Sequence, residues 1–157
     1  MAGESSSPMQ HALELQESDE ILRRLANEEL LIVNSRKRNG LILCKEYHAE
    51  FAGPGAAVGS FFDTNCRSVI PVGELSLVYP ENQEERQKAY LIRRQWIRLT
   101  HQLTDNPVPV QRAQMILSQF ENYFGAQTVE SLPDEAFALL VGVLPHTVRT
   151  LRHSLGV

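Results

Sequence analysis

Two short helical patterns meet at a glycine in SLPDEAFALLVGVLPHTVRTLRHSL, residues 131–155. The first pattern predicts a helix that starts just after Ser131, because serine can cap a helix and Asp134 favours the positive end of the helix dipole. Gly142 permits the positive φ that a tight turn between two helices requires. The second helix is expected to begin at about Pro145, since proline suits the first turn of a helix. The stretch therefore predicts a helix-turn-helix.

The side chains around Gly142 have the sizes that two steeply crossing helices need. Ala138 is small where the helices come closest. Val148 and Leu151, with Leu155 beyond them, are branched apolar residues that would pack the second helix on the first. The residues expected to point outward from the second helix can all form hydrogen bonds: His146, Arg149, Thr150 and His153.

A change of hydrophobic period marks the middle of the chain. From Glu81 to Leu103 the sequence predicts a helix of about six turns, because apolar residues recur at three- and four-residue steps along one face: Ala89, Ile92, Trp96, Leu99 and Leu103. A helix of this length is typical of a connector or a dimerisation element. Pro107 and Pro109 end it, and Pro109 can open a further helix that ends at Gly125. The predicted inner face of that further helix is Val110, Ala113, Leu117, Phe120 and Phe124.

The first half of the chain has a mixed pattern. Residues 18–30 predict a short amphipathic helix, and the apolar runs on either side of Asn39-Gly40 predict a β-hairpin. The basic cluster at its tip is Arg36, Lys37 and Arg38. We interpret this tip as a solvated turn, with phosphate contact as the alternative. Residues 51–60 are rich in glycine and predict a loop, and two or three short strands follow it.

Together these patterns predict an α+β fold. It consists of a small N-terminal α+β lobe with antiparallel strands, a long connecting helix and a C-terminal all-α helix-turn-helix lobe. The expected organisation is a disordered tail at 1–17, the α+β lobe at 18–80, the connecting or dimerisation helix at 81–105 and the helix-turn-helix domain at 106–157.

One family shares the C-terminal pattern over residues 109–155. The shared features, after a long preceding helix, are Gln111-Arg112-Ala113, the acidic helix start Asp134-Glu135, Ala138, Gly142 and the pair Thr147-Val148. In these features the segment resembles the helix-turn-helix DNA-binding domain of catabolite-activator and FNR-type transcription regulators. The resemblance extends neither to the wing of that family nor to its cyclic-nucleotide domain.

The resemblance implies a dimeric transcription regulator that binds double-stranded DNA, with the second helix in the major groove. The residues expected to read bases are His146, Arg149, Thr150 and His153, and those expected to position the DNA backbone are Ser131, Thr147 and Arg152. Possible supporting contacts come from Arg93, Arg94 and Arg98 of the long helix.

The charge balance limits this interpretation. The chain has a net charge of -4, and residues 106–157 carry three arginines against four carboxylates. Because recognition domains neutralise several phosphates, DNA binding would require a second copy or the arginines of the long helix. The alternative is a protein-interaction or assembly factor that uses the long helix around Trp96 and does not bind DNA.

Other classes of protein have little support in the sequence. Neither Cys44 nor Cys66 belongs to a close cysteine pair, Cys44 and His48 lie too far apart along a strand to share a metal ion, and no histidine lies in a hydrolase motif. We therefore expect no catalytic residue, no metal and no cofactor. No apolar run approaches the length of a membrane span. The unpaired cysteines and the absence of a secretory signal favour the cytoplasm.

Overall fold

The fold is seen in a computed structural model that describes residues 12–13 and 18–154. It confirms the predicted α+β class, with antiparallel strands followed by a long helix and a helical C-terminal region. Of the predicted tail at 1–17, the structure describes residues 12–13 alone. Leu155, which was expected to point inward, lies outside the described residues.

The secondary structure follows this order along the described residues. The strands are β1 (Ala12–Leu13), β2 (Leu30–Val33), β3 (Gly40–Cys44), β4 (Ala49–Ala52), β5 (Ala57–Gly59), β6 (Ser68–Val72) and β7 (Leu77–Val78). The helices are α1 (Ser18–Ala26), α2 (Gln83–Thr104), α3 (Pro109–Phe124), α4 (Ala126–Glu130), α5 (Asp134–Val141) and α6 (Pro145–Ser154). Among these residues no helix is long and apolar enough to cross a lipid bilayer.

The predicted hairpin around Asn39-Gly40 is wrong, because β2 and β3 belong to different sheets. β2 pairs with β5 and β7 in the sheet β1-β7-β2-β5, whereas β3 pairs with β4 and β6 in the sheet β4-β3-β6. The residues between β2 and β3 form a loop that crosses from one sheet to the other. The hairpin lies one strand later, between β3 and β4, where the Lys45 N–H donates to the His48 carbonyl over 2.8 Å.

The glycine-rich stretch 51–60 is also more regular than predicted, since β4 ends and β5 lies within it. Its small residues are required by close packing. A side chain at Gly53 would collide with the ring of Trp96, and Gly59 passes beside the Glu29 carbonyl with a φ of 97°. Glycine-rich sequences are typical of loops, but here the glycines are needed because the backbone passes close to Trp96 and Glu29.

The sheet β4-β3-β6 has a buried face on each side. Leu41 and Leu43 of β3 pack with α1 and the other sheet, whereas Ile42 and Cys44 pack with the C-terminal helices. This alternation follows the two-residue period of a strand. The helical region and the sheet therefore share one apolar cluster. The predicted domain boundaries stay a prediction.

Helices α2 and α3 pack against this sheet with faces that differ in part from those predicted. α2 buries Ala89 and Leu103, but the side chain of Leu99 is 50% exposed. α3 buries Ala113, Ile116, Leu117 and Phe120. Val110, which was expected on the inner face, is 46% exposed. Phe51 of β4 lies edge-on to the rings of Trp96, Phe120 and Phe124, which joins both helices to the sheet.

Candidate nucleic-acid interface

Helices α5 and α6 are joined by a turn at Gly142. This residue has φ 71° and ψ 44°, the left-handed conformation, and its N–H donates to the Ala138 carbonyl over 2.8 Å. The Val143 N–H donates to the same carbonyl over 3.0 Å. A Cβ added at Gly142 would meet nothing within 4 Å, so the backbone conformation alone requires glycine here.

The residues expected to pack the two helices together are buried. Ala138 and Val148 are 2% and 0% exposed, and Leu151 is 9% exposed. α6 rests on α3 and α5, while α5 lies against β3 and β4 of the sheet. The orientation of α6 is therefore fixed by apolar contacts on two helices.

The outer face of α6 is open to solvent. The side chains that the sequence predicted to point outward, His146, Arg149, Thr150 and His153, are all exposed, and Thr147 is half-buried. The Arg149 side chain is 59% exposed, with its Nε 3.7 Å from a carboxylate oxygen of Asp134. Four hydrogen-bonding side chains are thus presented together along one face of a helix.

Arg152 is occupied by the protein itself. Its guanidinium donates to the Leu132 carbonyl over 2.8 Å, to the Val129 carbonyl over 2.6 Å and to the Asp134 carboxylate over 2.9 Å. It also lies over the ring of Phe137, 5.5 Å from the centroid. These contacts tie α6 to the segment that connects α4 with α5, and they use the hydrogen bonds that a phosphate contact would require.

A second arginine, Arg112 of α3, holds the turn from the other side. It donates to the carbonyls of Val141 and Gly142 over 2.8 and 3.0 Å, and to the Asn106 carbonyl over 2.8 Å. Carbonyls at the end of a helix lack partners within the helix, and arginine is a suitable donor for them. Arg112 therefore connects α3, the loop before it and the end of α5.

The predicted supporting residues lie in different environments. Arg94 and Arg98 are exposed on α2, but Arg93 is 3% exposed and faces the sheets. Ser131 is exposed and donates to the Thr128 carbonyl over 2.7 Å. It does not cap α5 as predicted, because α5 begins at Asp134 and Pro133 occupies the N-cap position.

Arg93 belongs to a buried ionic cluster that the sequence did not reveal. Its guanidinium donates to the Asp63 carboxylate over 2.9 and 3.0 Å, to the Glu50 carboxylate over 2.6 Å and to the Ala57 carbonyl over 3.0 Å. Lys45 lies 3.2 Å from Asp63 on the other side. We call Lys45, Glu50, Asp63 and Arg93 the ionic cluster. The signal in the sequence is that Arg93 lies four residues after Ala89 and three before Trp96, on the inner face of α2.

The charges of this cluster stabilise one another. Burial by itself lowers the pKa of the Arg93 guanidinium, but the hydrogen bonds and charges of Asp63 and Glu50 outweigh it, so the pKa lies above its usual value. Burial likewise opposes ionisation of Glu50, but hydrogen bonds from Arg93 and His48 outweigh it and lower the pKa of that carboxyl. Both groups are therefore charged near neutral pH. Their role is to hold α2 against the sheets.

A cleft of about 420 Å³ opens beside the turn at Gly142. Its polar lining includes His48, Glu50, His101 and Arg112. Among residues 12–13 and 18–154, no three histidine, cysteine or acidic side chains come together as a metal site would require.

Comparison with known proteins identifies no family and no function for this chain. No protein-family model, no curated protein and no solved structure matches the chain.

Proposed function

We propose that this protein is a DNA-binding transcription regulator that acts as a homodimer and inserts α6 into the major groove. The observation that carries the proposal is the outer face of α6. His146, Arg149, Thr150 and His153 are exposed along it, while the opposite side of the same helix is anchored by Val148 and Leu151. A rigid helix that presents hydrogen-bonding side chains is what base recognition requires.

The side chains have distinct roles in this proposal. His146, Arg149, Thr150 and His153 contact base edges, and Thr147 and Ser131 contact the DNA backbone. Arg152 acts indirectly, because its contacts with Leu132 and Asp134 hold α6 in place. The resemblance of residues 109–155 to the helix-turn-helix domain of catabolite-activator and FNR-type regulators supports the same arrangement. The proposal includes no cofactor and no catalytic activity.

The charges support a dimer in preference to a single copy. Of the three arginines in residues 106–157, Arg112 and Arg152 are bound to backbone carbonyls, so Arg149 is the one with a largely free guanidinium. One such charge per copy is few for neutralising phosphates. Two copies double it, and Arg94 and Arg98 of α2 add to it where α2 approaches the DNA. A cytoplasmic location accompanies the proposal and fits two free cysteines.

Selection of bound sequences from random DNA, followed by a mobility-shift assay, tests the proposal. Wild-type protein should enrich a sequence with twofold symmetry and bind it with an affinity that falls steeply as salt increases. Arg149→Ala should abolish the shift and leave the circular dichroism spectrum unchanged. Gln114→Ala, an exposed polar position on α3, is the control and should bind as wild type. Absence of any enriched sequence and of any shift at about 50 mM salt would contradict the proposal.

A second function, protein interaction or assembly without DNA binding, is favoured by one observation. A mainly apolar groove of about 330 Å³ runs between α2 and α3, lined by Trp96, Leu99, Phe120 and Tyr123 among others. Leu99 is 50% exposed at its edge. Apolar side chains exposed in a groove are typical of contact surfaces between proteins.

Two leucines of α2 make this second function testable. Leu99 lines the groove, whereas Leu91, which is 57% exposed, does not. If the groove joins two copies, Leu99→Asp should convert a dimer into a monomer in light scattering, and Leu91→Asp should not. A dimer that survives Leu99→Asp would contradict this use of the groove.

A further inference from the structure

The loop between β2 and β3 carries three consecutive cations that the proposed function leaves without a role. Arg36, Lys37 and Arg38 are all exposed. Within the part of the chain that the structure describes, neither Arg36 nor Lys37 has a carboxylate within ion-pair distance. We call residues 34–39 the basic loop.

The basic loop has a fixed shape. Asn39 is fully buried, and its amide donates to the carbonyls of Asn34 and Lys37 over 3.1 and 3.0 Å. Its side-chain oxygen accepts the Ser76 N–H over 3.0 Å. The Asn34 side chain in turn accepts the Arg36 N–H over 3.0 Å. These bonds hold the backbone of the loop, so its cations are presented without the entropic cost of ordering a free loop.

The basic loop is docked on the helical region. The Arg38 guanidinium donates to the carbonyl of Tyr123 in α3 over 3.3 Å and lies 5.5 Å from the centroid of the Tyr123 ring. This contact positions the loop at the end of α3, next to α4. The loop therefore belongs to the same surface as the helices, although it is far from them in sequence.

An open groove of about 810 Å³ separates the loop from the α4–α5 segment. Lys37 and Arg38 line one side of it, and Gln127, Thr128 and Ser131 line the other. Glu74 is the one carboxylate in this lining. Cations facing hydroxyl and amide side chains are the residue types that bind the phosphate backbone of nucleic acids.

The groove and the proposed DNA-reading helix adjoin the same segment of the chain, residues 127–132. Arg152 of α6 donates to the carbonyls of Val129 and Leu132, which stand on either side of Ser131 in the sequence. Ser131 therefore lies between two neighbours, with the basic loop across the groove from it and the Arg152 end of α6 bound to the backbone beside it. A duplex that accepts α6 in its major groove would carry its flanking backbone toward Ser131 and the loop.

We infer that the basic loop is a phosphate-binding element, in which Arg36 and Lys37 contact the backbone of the DNA that α6 reads. This inference rests on the proposed function. The basic loop supplies two positive charges per copy that the C-terminal helices do not provide. Their contact with the DNA backbone is independent of base sequence.

The test compares two double variants that remove the same charge. Arg36→Ala/Lys37→Ala keeps every bond that shapes the loop, because Arg36 and Lys37 take part in them through backbone atoms. The control, Arg86→Ala/Lys88→Ala, removes two exposed cations from the first half of α2. Thermal unfolding of both variants should match wild type.

Affinity for the selected DNA is then measured over a range of salt concentrations. For the loop variant, the dimer loses four phosphate contacts, so the slope of log affinity against log salt should fall in magnitude by about 4, with equal weakening on all sequences and an unchanged sequence preference. The control variant should keep the wild-type slope. The inference is overturned if the slope of the loop variant is unchanged, or if the slope of the control variant falls by the same amount. In either case, binding of DNA by the wild-type protein leaves the proposed function standing. Failure of wild-type protein to bind DNA overturns both.

Discussion

The guanidinium of Arg152 lies 2.9 Å from a carboxylate oxygen of Asp134, so the last part of α6 is held to the first turn of α5. The same guanidinium satisfies the carbonyls of Val129 and Leu132. An arginine that the sequence assigned to the DNA backbone is therefore part of the internal structure of the helical region. This distinction can be measured, because Arg149 approaches the same carboxylate and is exposed.

Arg152→Ala should lower the free energy of unfolding by about 2–3 kcal/mol, because hydrogen bonds from a charged donor to two carbonyls and a carboxylate are lost. Arg149→Ala should change it by less than about 0.5 kcal/mol, since its ion pair is long and exposed. Urea unfolding of both variants gives the comparison. Equal stability of the two variants would show that Arg152 has no structural role.

Gly142→Ala should destabilise the protein by roughly 1–2 kcal/mol, the cost of a left-handed conformation for a residue with a Cβ. No clash contributes, since nothing lies within 4 Å of the position that the Cβ would take. Gly142→Asn should cost less, because asparagine tolerates this conformation better than alanine. Urea unfolding again provides the measurement, and an asparagine variant less stable than the alanine variant would contradict the explanation.

The turn between α5 and α6 was predictable because its determinants are local. The small residue at Ala138, the glycine at Gly142 and the branched Val148 lie close together in the sequence, and each is found in the predicted place. The outward orientation of Arg149 follows from the same helical period. The sequence thus predicts which residues α6 exposes, although it does not show that they contact DNA.

The sheet pairing was not predictable in the same way, because it depends on contacts distant in sequence. Local turn propensity at Asn39-Gly40 favours a hairpin, but Asn39 is instead buried and bonded to Ser76, far along the chain. The role of Arg93 is hidden for a similar reason. Its carboxylate partner Asp63 lies 30 residues before it, and no spacing rule connects an arginine in a helix with an aspartate in a loop.

Asp63→Ala should be among the most destabilising substitutions, lowering the free energy of unfolding by about 3–5 kcal/mol. The side chain is fully buried, and its removal leaves Arg93 with Glu50 as its one ion-pair partner and takes from Lys45 the carboxylate that it contacts. Glu46→Ala is the matched control. It removes an exposed carboxylate 3.5 Å from Arg67, and we expect a change below about 0.5 kcal/mol. Equal effects in chemical denaturation would contradict a structural role for the ionic cluster.

Stability should also fall with acid in a way that depends on Glu50. Burial opposes its ionisation, but Arg93 and His48 lower its pKa below the ordinary value of 4.5. A carboxyl whose pKa is lower in the folded state contributes stability above the unfolded pKa, and the contribution is lost as pH falls through the folded pKa. The urea midpoint of wild type should therefore decrease below about pH 4.5, and that of Glu50→Gln should decrease less steeply. Parallel curves for the two proteins would contradict this assignment.

The two thiols should react slowly in the folded protein. Burial, followed by the charge of Asp63, raises the pKa of Cys66 to about 12, and burial also raises the pKa of Cys44. Because the thiolate is the reactive species and a raised pKa keeps Cys66 protonated at pH 8, the thiol should be unreactive there. Alkylation with iodoacetamide at pH 8 should thus label neither cysteine in native protein and both in urea, as mass spectrometry of the two samples can show. Rapid labelling of Cys66 in native protein would mean that the loop between Asp63 and β6 opens and exposes the thiol to water.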